Sequence, residues 1–403
     1  MITFLTFNLI YGLGNLYLFY SVSDIAKTGF YGNIFLGLFI LLMTFSPIFI
    51  HQYTLKGSER TSRILLYIGY LWMAFVVVFS PFGALLDLYN AIARHSMFLS
   101  GGHLDLKTIP DNYIFFVPFF LSLTFNIYGY YEAKKLRVEK LVISTPKLPH
   151  GVDKVTIAQI SDLHLGIISG DKTLNKVIRE IKNAGPDLIV STGDLIDGAV
   201  NHIRYFPEKL KHLQARLGKF AIIGNHEFYA GLTNAVKFIE ESGFIPLRNS
   251  GVSIEGILNI AGVDDLGDID NGLSEQVNTK TEREILSDLP AGIFTILLKH
   301  RSHVINDNIV LFDLQLSGHT HKGQIFPVNL IIPFLFKYHT GYSKLAKGAA
   351  IYVSRGAGTA GPPVRFMSPP ELTFIEIVSA RKAQPLKKLY NNKHNATHNV
   401  ENI

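Results

Sequence analysis

The sequence predicts an all-α membrane region followed by a soluble α/β domain. Three observations carry this reading. Four long apolar runs crowd the first third of the 403 residues. From Val152 onward, strand-length apolar runs alternate with amphipathic helical patterns, and most of those runs end directly in Asp, His or Asn. The expected boundaries are 1–131 for the membrane region, 132–151 for a basic juxtamembrane linker, 152–380 for the α/β domain and 381–403 for a solvated, disordered basic tail.

The four runs are Phe4–Tyr20, Tyr31–Ile50, Ile64–Leu86 and Tyr113–Tyr131. Each is close to the ~20 residues that a helix needs to cross a bilayer. Pro47, Pro81 and Pro118 lie inside them, which spanning helices tolerate because neighbouring groups re-satisfy the freed backbone. The first run has no positive n-region and ends in LFYSVSD rather than in a small-residue cleavage site, so it reads as a retained helix. Lys56, Arg60 and Arg63 in the second connection, with Lys134, Lys135, Arg137 and Lys140 after the fourth run, outweigh Lys27, Arg94 and Lys107 elsewhere. That balance predicts a multi-pass protein of the inner or plasma membrane, with both chain ends and the large domain in the cytoplasm.

The chain contains no cysteine, which excludes a disulfide framework, a cysteine nucleophile and thiolate metal ligation. Its net charge of +6 has a local origin. The stretch EAKKLRVEK would lie beside anionic headgroups, and the tail RKAQPLKKLYNNKHNATHN is polar enough to stay solvated. Asn395-Ala396-Thr397 fits a glycosylation pattern but would require the opposite topology. No basic, aromatic-studded groove is legible, so membrane lipids are expected partners and nucleic acid is not.

In the α/β domain, VTIAQI precedes Ser161-Asp162-Leu163-His164, DLIVS precedes Gly193-Asp194, and FAIIG precedes Asn225-His226-Glu227. Further on, FTILLK precedes His300 and FDLQLSG precedes His319-Thr320-His321. Between the first two strands, Leu174, Val177, Ile178 and Ile181 recur at helical spacing up to Gly185-Pro186, and LTNAVKFIEESG is a second amphipathic helix. Sites in such domains gather in loops beyond the carboxyl ends of the strands.

Asp162, His164, Asp194, Asn225, His300, His319 and His321 offer only imidazole, carboxylate and amide donors, which suit Mn, Fe or Zn. Seven such groups are too many for one catalytic ion but suit two divalent ions sharing Asp194 as a bridge. Taken singly, each has a structural reading: Asp162 and Asp194 as helix caps, Asn225 in a turn, a lone histidine as a core residue.

The ordered combination Asp-x-His, Gly-Asp, Gly-Asn-His-Glu, His and Gly-His-x-His, covering about Val155 to Glu371, resembles the calcineurin-like metallophosphoesterases. The late stretch YVSRGAGTAGPPVRFMSPPEL is similar to the small bacterial membrane-associated branch of that family. The resemblance implies two β-sheets packed face to face with helices outside, and hydrolysis of a phosphoester or diphosphate by a hydroxide shared between two metals. It implies that Asp162, His164, Asp194 and His321 hold one ion and that Asn225, His300, His319 and Asp194 hold the other. His226 resembles the family's histidine that contacts phosphate and assists the leaving oxygen. One departure is the sequence His300-Arg301-Ser302-His303, where the family often has His-x-Pro. Asp197 and Glu227 are expected to orient imidazoles, with Glu227 alternatively an exposed carboxylate at a helix start, Asp264 and Asp265 to approach the site or form a turn, and Arg301 to face phosphate or solvent.

Arg355 and Arg365, in a glycine-rich segment, are expected either to clamp a phosphate or diphosphate or to pair with acidic residues and hold the last strand. The expected substrate is a phosphate-containing small molecule or a lipid-linked phosphate, since four spans exceed what a tether requires. The alternatives are a nuclease or nucleotide phosphodiesterase of the same superfamily, and a membrane scaffold or sensor with a vestigial site.

Overall fold

The computed structural model describes residues 2–54, 58–198, 203–265, 280–382 and 399–402. Lys56, the glycosylation pattern at Asn395 and most of the basic tail lie outside them. The chain divides into two units. The first comprises Met1–Glu132 with two short returns of the chain, Ile325–Leu330 and Gly361–Met367, and the second comprises the remainder.

The helical unit contains α1 (Ile2–Ala26), α2 (Phe30–Thr54), α3 (Glu59–Arg94), the single turn α4 (Ser96–Leu99) and α5 (Asp111–Glu132). Among the described residues, three helices rather than the expected four are long and apolar enough to cross a membrane: α2 over Phe30–Phe49, α3 and α5. The expected first run, Phe4–Tyr20, lies within α1 and begins partly outside the residues whose side chains are described. Asn15 is buried and accepts a hydrogen bond from Trp72 Nε1 of α3 at 2.9 Å, so its polarity is used inside the bundle. Pro47, Pro81 and Pro118 lie within their helices as expected.

The second unit is a four-layer α/β/β/α arrangement. Its strands are β1 (Arg137–Thr145), β2 (Lys154–Ile160), β3 (Leu188–Ser191), β4 (Lys219–Ala221), β5 (Ile245–Pro246), β6 (Ser250–Ile254), β7 (Leu258–Val263), β8 (Phe294–Lys299), β9 (Leu314–Ser317), β10 (Gly341–Lys344), β11 (Ala350–Val353), β12 (Glu371–Ser379) and β13 (Asn399–Asn402). Among the described residues they form one seven-stranded sheet, β13-β1-β12-β2-β3-β4-β5, and one six-stranded sheet, β10-β11-β9-β8-β7-β6. The tail therefore departs from expectation in its final residues, where β13 pairs in parallel with β1. Its helices are α6 (Asp171–Ala184), α7 (Phe206–Lys211), α8 (Asn225–Tyr229), α9 (Leu232–Glu241), α10 (Glu282–Ser287) and α11 (Val328–Leu335).

Strand alternation builds the layers. Val155 and Ile157 of β2, Leu188 and Val190 of β3, Ile296 and Leu298 of β8, and Leu314 and Leu316 of β9 share the core between the sheets. Their alternates Ala158, Ile160 and Ile189 pack outward with Leu174, Val177 and Ile181 of α6 and Phe238 of α9. Leu297 joins Ile285 and Leu286 of α10 on the other outer side. With both faces covered, the strands read as nearly continuous apolar runs. β2, β3 and β4 are mutually parallel, as are β7, β8 and β9, so the carboxyl ends of each set open to one side.

Arg355, just beyond β11, ties this frame together. Its Nη2 lies 2.6 Å from Glu139 of β1 and 2.6 Å from Glu371 of β12, and its Nε donates to Pro369 O at 3.1 Å. Glu371 is only 1% exposed. Removing the cation would leave a buried carboxylate without its counter-charge, so Arg355→Met should lower stability by about 3 kcal/mol. Denaturation of the detergent-solubilised full chain measures this, and a loss below about 1 kcal/mol, the scale of an exposed pair, would contradict the assignment.

Candidate metal centre

Five loops at the carboxyl ends of β2, β3, β4, β8 and β9 carry the polar residues. Asp162 and His164 follow β2, Asp194 follows β3, Asn225 and His226 open α8 after β4, His300 follows β8, and His319 and His321 follow β9. Three groups of side chains bring their donor atoms within 4.8 Å of one another: Asp162, His164 and His321; His164, Asp194 and His226; and Asp194, His300 and His319. Asp194 lies in the middle of this series. Its Oδ1 accepts the N–H of His226 at 2.9 Å, while its Oδ2 faces Nε2 of His300 at 3.1 Å, of His164 at 3.8 Å and of His226 at 4.0 Å.

Backbone conformation aims these side chains. Asp162, His164, Asp194, His319 and His321 all have left-handed φ between 47° and 70°. Asp and His are among the residues that tolerate this region, but each still costs of order 1 kcal/mol or more. Close approach adds a second demand: a Cβ at Gly318 would collide with Ser161 Oγ and the carboxylate of Asp162, and one at Gly224 would collide with that of Asp194.

Glu227 holds the two central loops. It is fully buried; Oε1 accepts the N–H groups of Leu195 at 2.7 Å and Ile196 at 3.2 Å, and Oε2 accepts those of Asp194 at 2.9 Å and Gly224 at 2.8 Å. Burial, reinforced by the nearby negative charge of Asp194, pushes its pKa up to about 7. Other partners orient the imidazoles. His300 Nδ1 donates to Thr192 O at 2.8 Å, which turns Nε2 toward Oδ2 of Asp194, and Asp197 accepts from His226 Nδ1 at 3.0 Å. Burial opposes charge on His226, but Asp194 and Asp197 outweigh it and raise its pKa to about 9.

The residues fit divalent cations on their own chemistry. Nε2 of His164 faces Nε2 of His321 at 3.0 Å, and Nδ1 of His319 faces Nε2 of His300 at 3.2 Å, so lone-pair atoms converge in pairs. Among the described residues, the buried Asn225 Oδ1 has no hydrogen-bond partner, a costly state for an amide oxygen unless something else binds it.

The other expected residues are placed differently. Arg301 pairs with Asp265, its Nε 2.8 Å from Oδ2, and Arg248 pairs with Asp264 at 2.5 Å. Arg355 is committed to Glu139 and Glu371, and Arg365 is fully buried in the helical unit, its N–H donating to Gly129 O at 2.9 Å. Neither arginine is free for the phosphate clamp that their spacing suggests. Sequence reasoning missed Ser161, which donates to Asp162, and Phe336, whose ring lies 5.9 Å from that of His319. It also missed Thr192, whose contribution is a backbone carbonyl and has no side-chain signature.

Replacing Glu227 by Gln keeps the shape but turns an NH₂ toward backbone donors. Glu227→Gln should therefore weaken metal binding about 10- to 100-fold. Calorimetric titration of metal into the full chain checks this, and unchanged affinity would separate Glu227 from the centre.

A family model for calcineurin-like phosphoesterases matches residues 155–323. The chain is 39% identical over 259 residues to an uncharacterized metallophosphoesterase of Aquifex aeolicus, covering 64% of this chain and 98% of that protein. It is 30% identical over 373 residues to an uncharacterized metallophosphoesterase of Helicobacter pylori, covering 82% and 94% respectively. A Danio rerio transmembrane protein with metallophosphoesterase domain is 28% identical over 282 residues, covering 64% of this chain and 62% of that protein. The similarity to the Aquifex protein runs along almost its whole length, and with the gathered His and Asp loops it establishes that this chain belongs to the calcineurin-like metallophosphoesterases and is a metal-dependent phosphoric ester hydrolase.

Proposed function

We propose that the protein hydrolyses a phosphoester or diphosphate at a dinuclear centre bridged by Asp194, with a lipid-linked phosphate as its substrate. The observation that carries this reading is the single oxygen, Asp194 Oδ2, facing three imidazoles, with Asp162 and His321 grouped on one side and His319 on the other. Asp162, His164 and His321 would hold one ion, and Asn225, His300 and His319 the other. Mn, Fe and Zn all suit these donors. Two such ions, when bound, offset the negative charge of the phosphoester and lower the pKa of an attacking water.

The chain's own residues supply the rest. His300, with Nδ1 committed to Thr192 O, keeps Nε2 available as a donor atom. His226, hydrogen-bonded to Asp197 through Nδ1, keeps Nε2 for a phosphate oxygen or the leaving oxygen. The carboxylates around it hold it charged at neutral pH, and nearby cations would bring its pKa down toward neutrality, the range suited to a general acid. The lipid substrate is supported by three helices of the same chain that are long and apolar enough to cross a membrane.

Asp194→Asn should abolish turnover and reduce bound metal, because the charge shared by two cations is lost. Elemental analysis together with hydrolysis of an aryl phosphate in Mn tests this. Carefully prepared wild-type protein without bound ion, whose activity survives chelation, would overturn the dinuclear reading. His226→Ala should keep the metals and lose about 10²- to 10⁴-fold in rate on esters with poor leaving groups, with a smaller loss on nitrophenyl esters. An equal loss on both classes would assign His226 to phosphate positioning instead.

A further inference from the structure

α11, with the sequence VNLIIPFL, has no buried residue. Leu330, Ile331, Phe334 and Leu335 are 58%, 49%, 89% and 68% exposed. A helix this apolar and this open is matched to a non-aqueous surrounding rather than to water. Two observations say which one. First, the sequence has no acidic residue between Asp313 and Glu371, whereas Lys337, Lys344 and Lys347 are exposed just after the helix. Positive charge flanking an apolar helix is the complement of an anionic lipid surface. Second, Phe326, just before α11, belongs to the helical unit, where its ring stacks on Phe82 of α3 at 5.3 Å and meets Phe125 of α5 edge-on at 5.4 Å. The start of α11 is thereby tied to helices that are long and apolar enough to cross a bilayer.

We infer that α11 is an interfacial helix that dips its exposed face into the headgroup–acyl boundary of the bilayer holding α2, α3 and α5. Phe336, the residue after α11, lies against the ring of His319, so the same helix borders the metal centre. Resting on the phosphoesterase reading, this placement selects a phosphoester carried on an amphiphile, presented at the membrane surface with its acyl chains beside Phe334 and Leu335.

The absence of cysteine allows a clean test. Full chain carrying Phe334→Cys, labelled with a nitroxide, is reconstituted into vesicles of phosphatidylethanolamine and phosphatidylglycerol, with Lys280→Cys as an aqueous control. The label at 334 should collide more with oxygen than with a water-soluble nickel chelate, and the control should show the reverse. An aqueous reading at 334, or dipolar broadening that reveals a second copy against the helix, overturns the proposal. The substrate half is read from Phe334→Glu combined with Leu335→Glu: the ratio of turnover on a hexadecyl nitrophenyl phosphate in the vesicles to that on bis-nitrophenyl phosphate in water should fall about ten-fold or more. An unchanged ratio overturns the substrate half. Failure of the metal-loaded wild-type chain on both esters would overturn the hydrolase reading instead, while the depth measurement still decides the helix.

Discussion

One carboxylate makes the rest of the centre possible. Glu227 binds four backbone N–H groups from two loops that are thirty residues apart in sequence, and it does so from a position closed to water. Burying a carboxylate is expensive unless its oxygens are satisfied, and here both are. The loop after β3 is thereby locked to the start of α8, so Asp194 Oδ1 receives the N–H of His226 and Oδ2 is left to face the imidazoles. Without that lock, Asp194 would have a conformation that is costly in itself and nothing to hold it.

That cost is shared by several ligand positions. Five residues of the centre sit at left-handed φ, each unfavourable by about 1 kcal/mol or more, against a total stability of about 5–15 kcal/mol for a typical domain. The parallel strands beneath supply rigidity, since their residues are almost entirely buried on both faces. Cations drawn by the converging donors would add a further stabilising term, which couples metal binding to the order of these loops.

Electrostatics then distinguishes residues of identical type. Burial pushes both Asp162 and Asp194 toward the neutral acid. At Asp162 burial prevails and the pKa rises to about 6, whereas at Asp194 the charges of His300, His226 and His164 overcome it and hold the carboxyl well below its usual range. Likewise, burial dominates at His164 and lowers it to about 4, while Asp194 raises His300 to about 10. The central position of Asp194 accounts for both contrasts.

The sequence by itself determined what is encoded within short windows: the strands ending at Ile160, Ser191 and Lys299, the amphipathic helices now α6 and α9, and the donor types clustered at strand ends. Period-2 and period-3.6 patterns are local, and carboxylate, imidazole and amide groups announce their chemistry wherever they stand. Tertiary structure decided whom each group meets. Arg355 lies near candidate phosphate-binding glycines in sequence, yet it serves Glu139 and Glu371, because β1, β11 and β12 bring them together from distant parts of the chain. Glu227 reads locally as an ordinary carboxylate at a helix start, and the four N–H groups that give it a role carry no side-chain signal. The span-length first helix keeps Asn15 because Trp72 of α3 bonds it, and only the fold shows that the apolar α11 buries none of its residues. In each case partner identity depends on long-range pairing of elements, which no window along the chain contains.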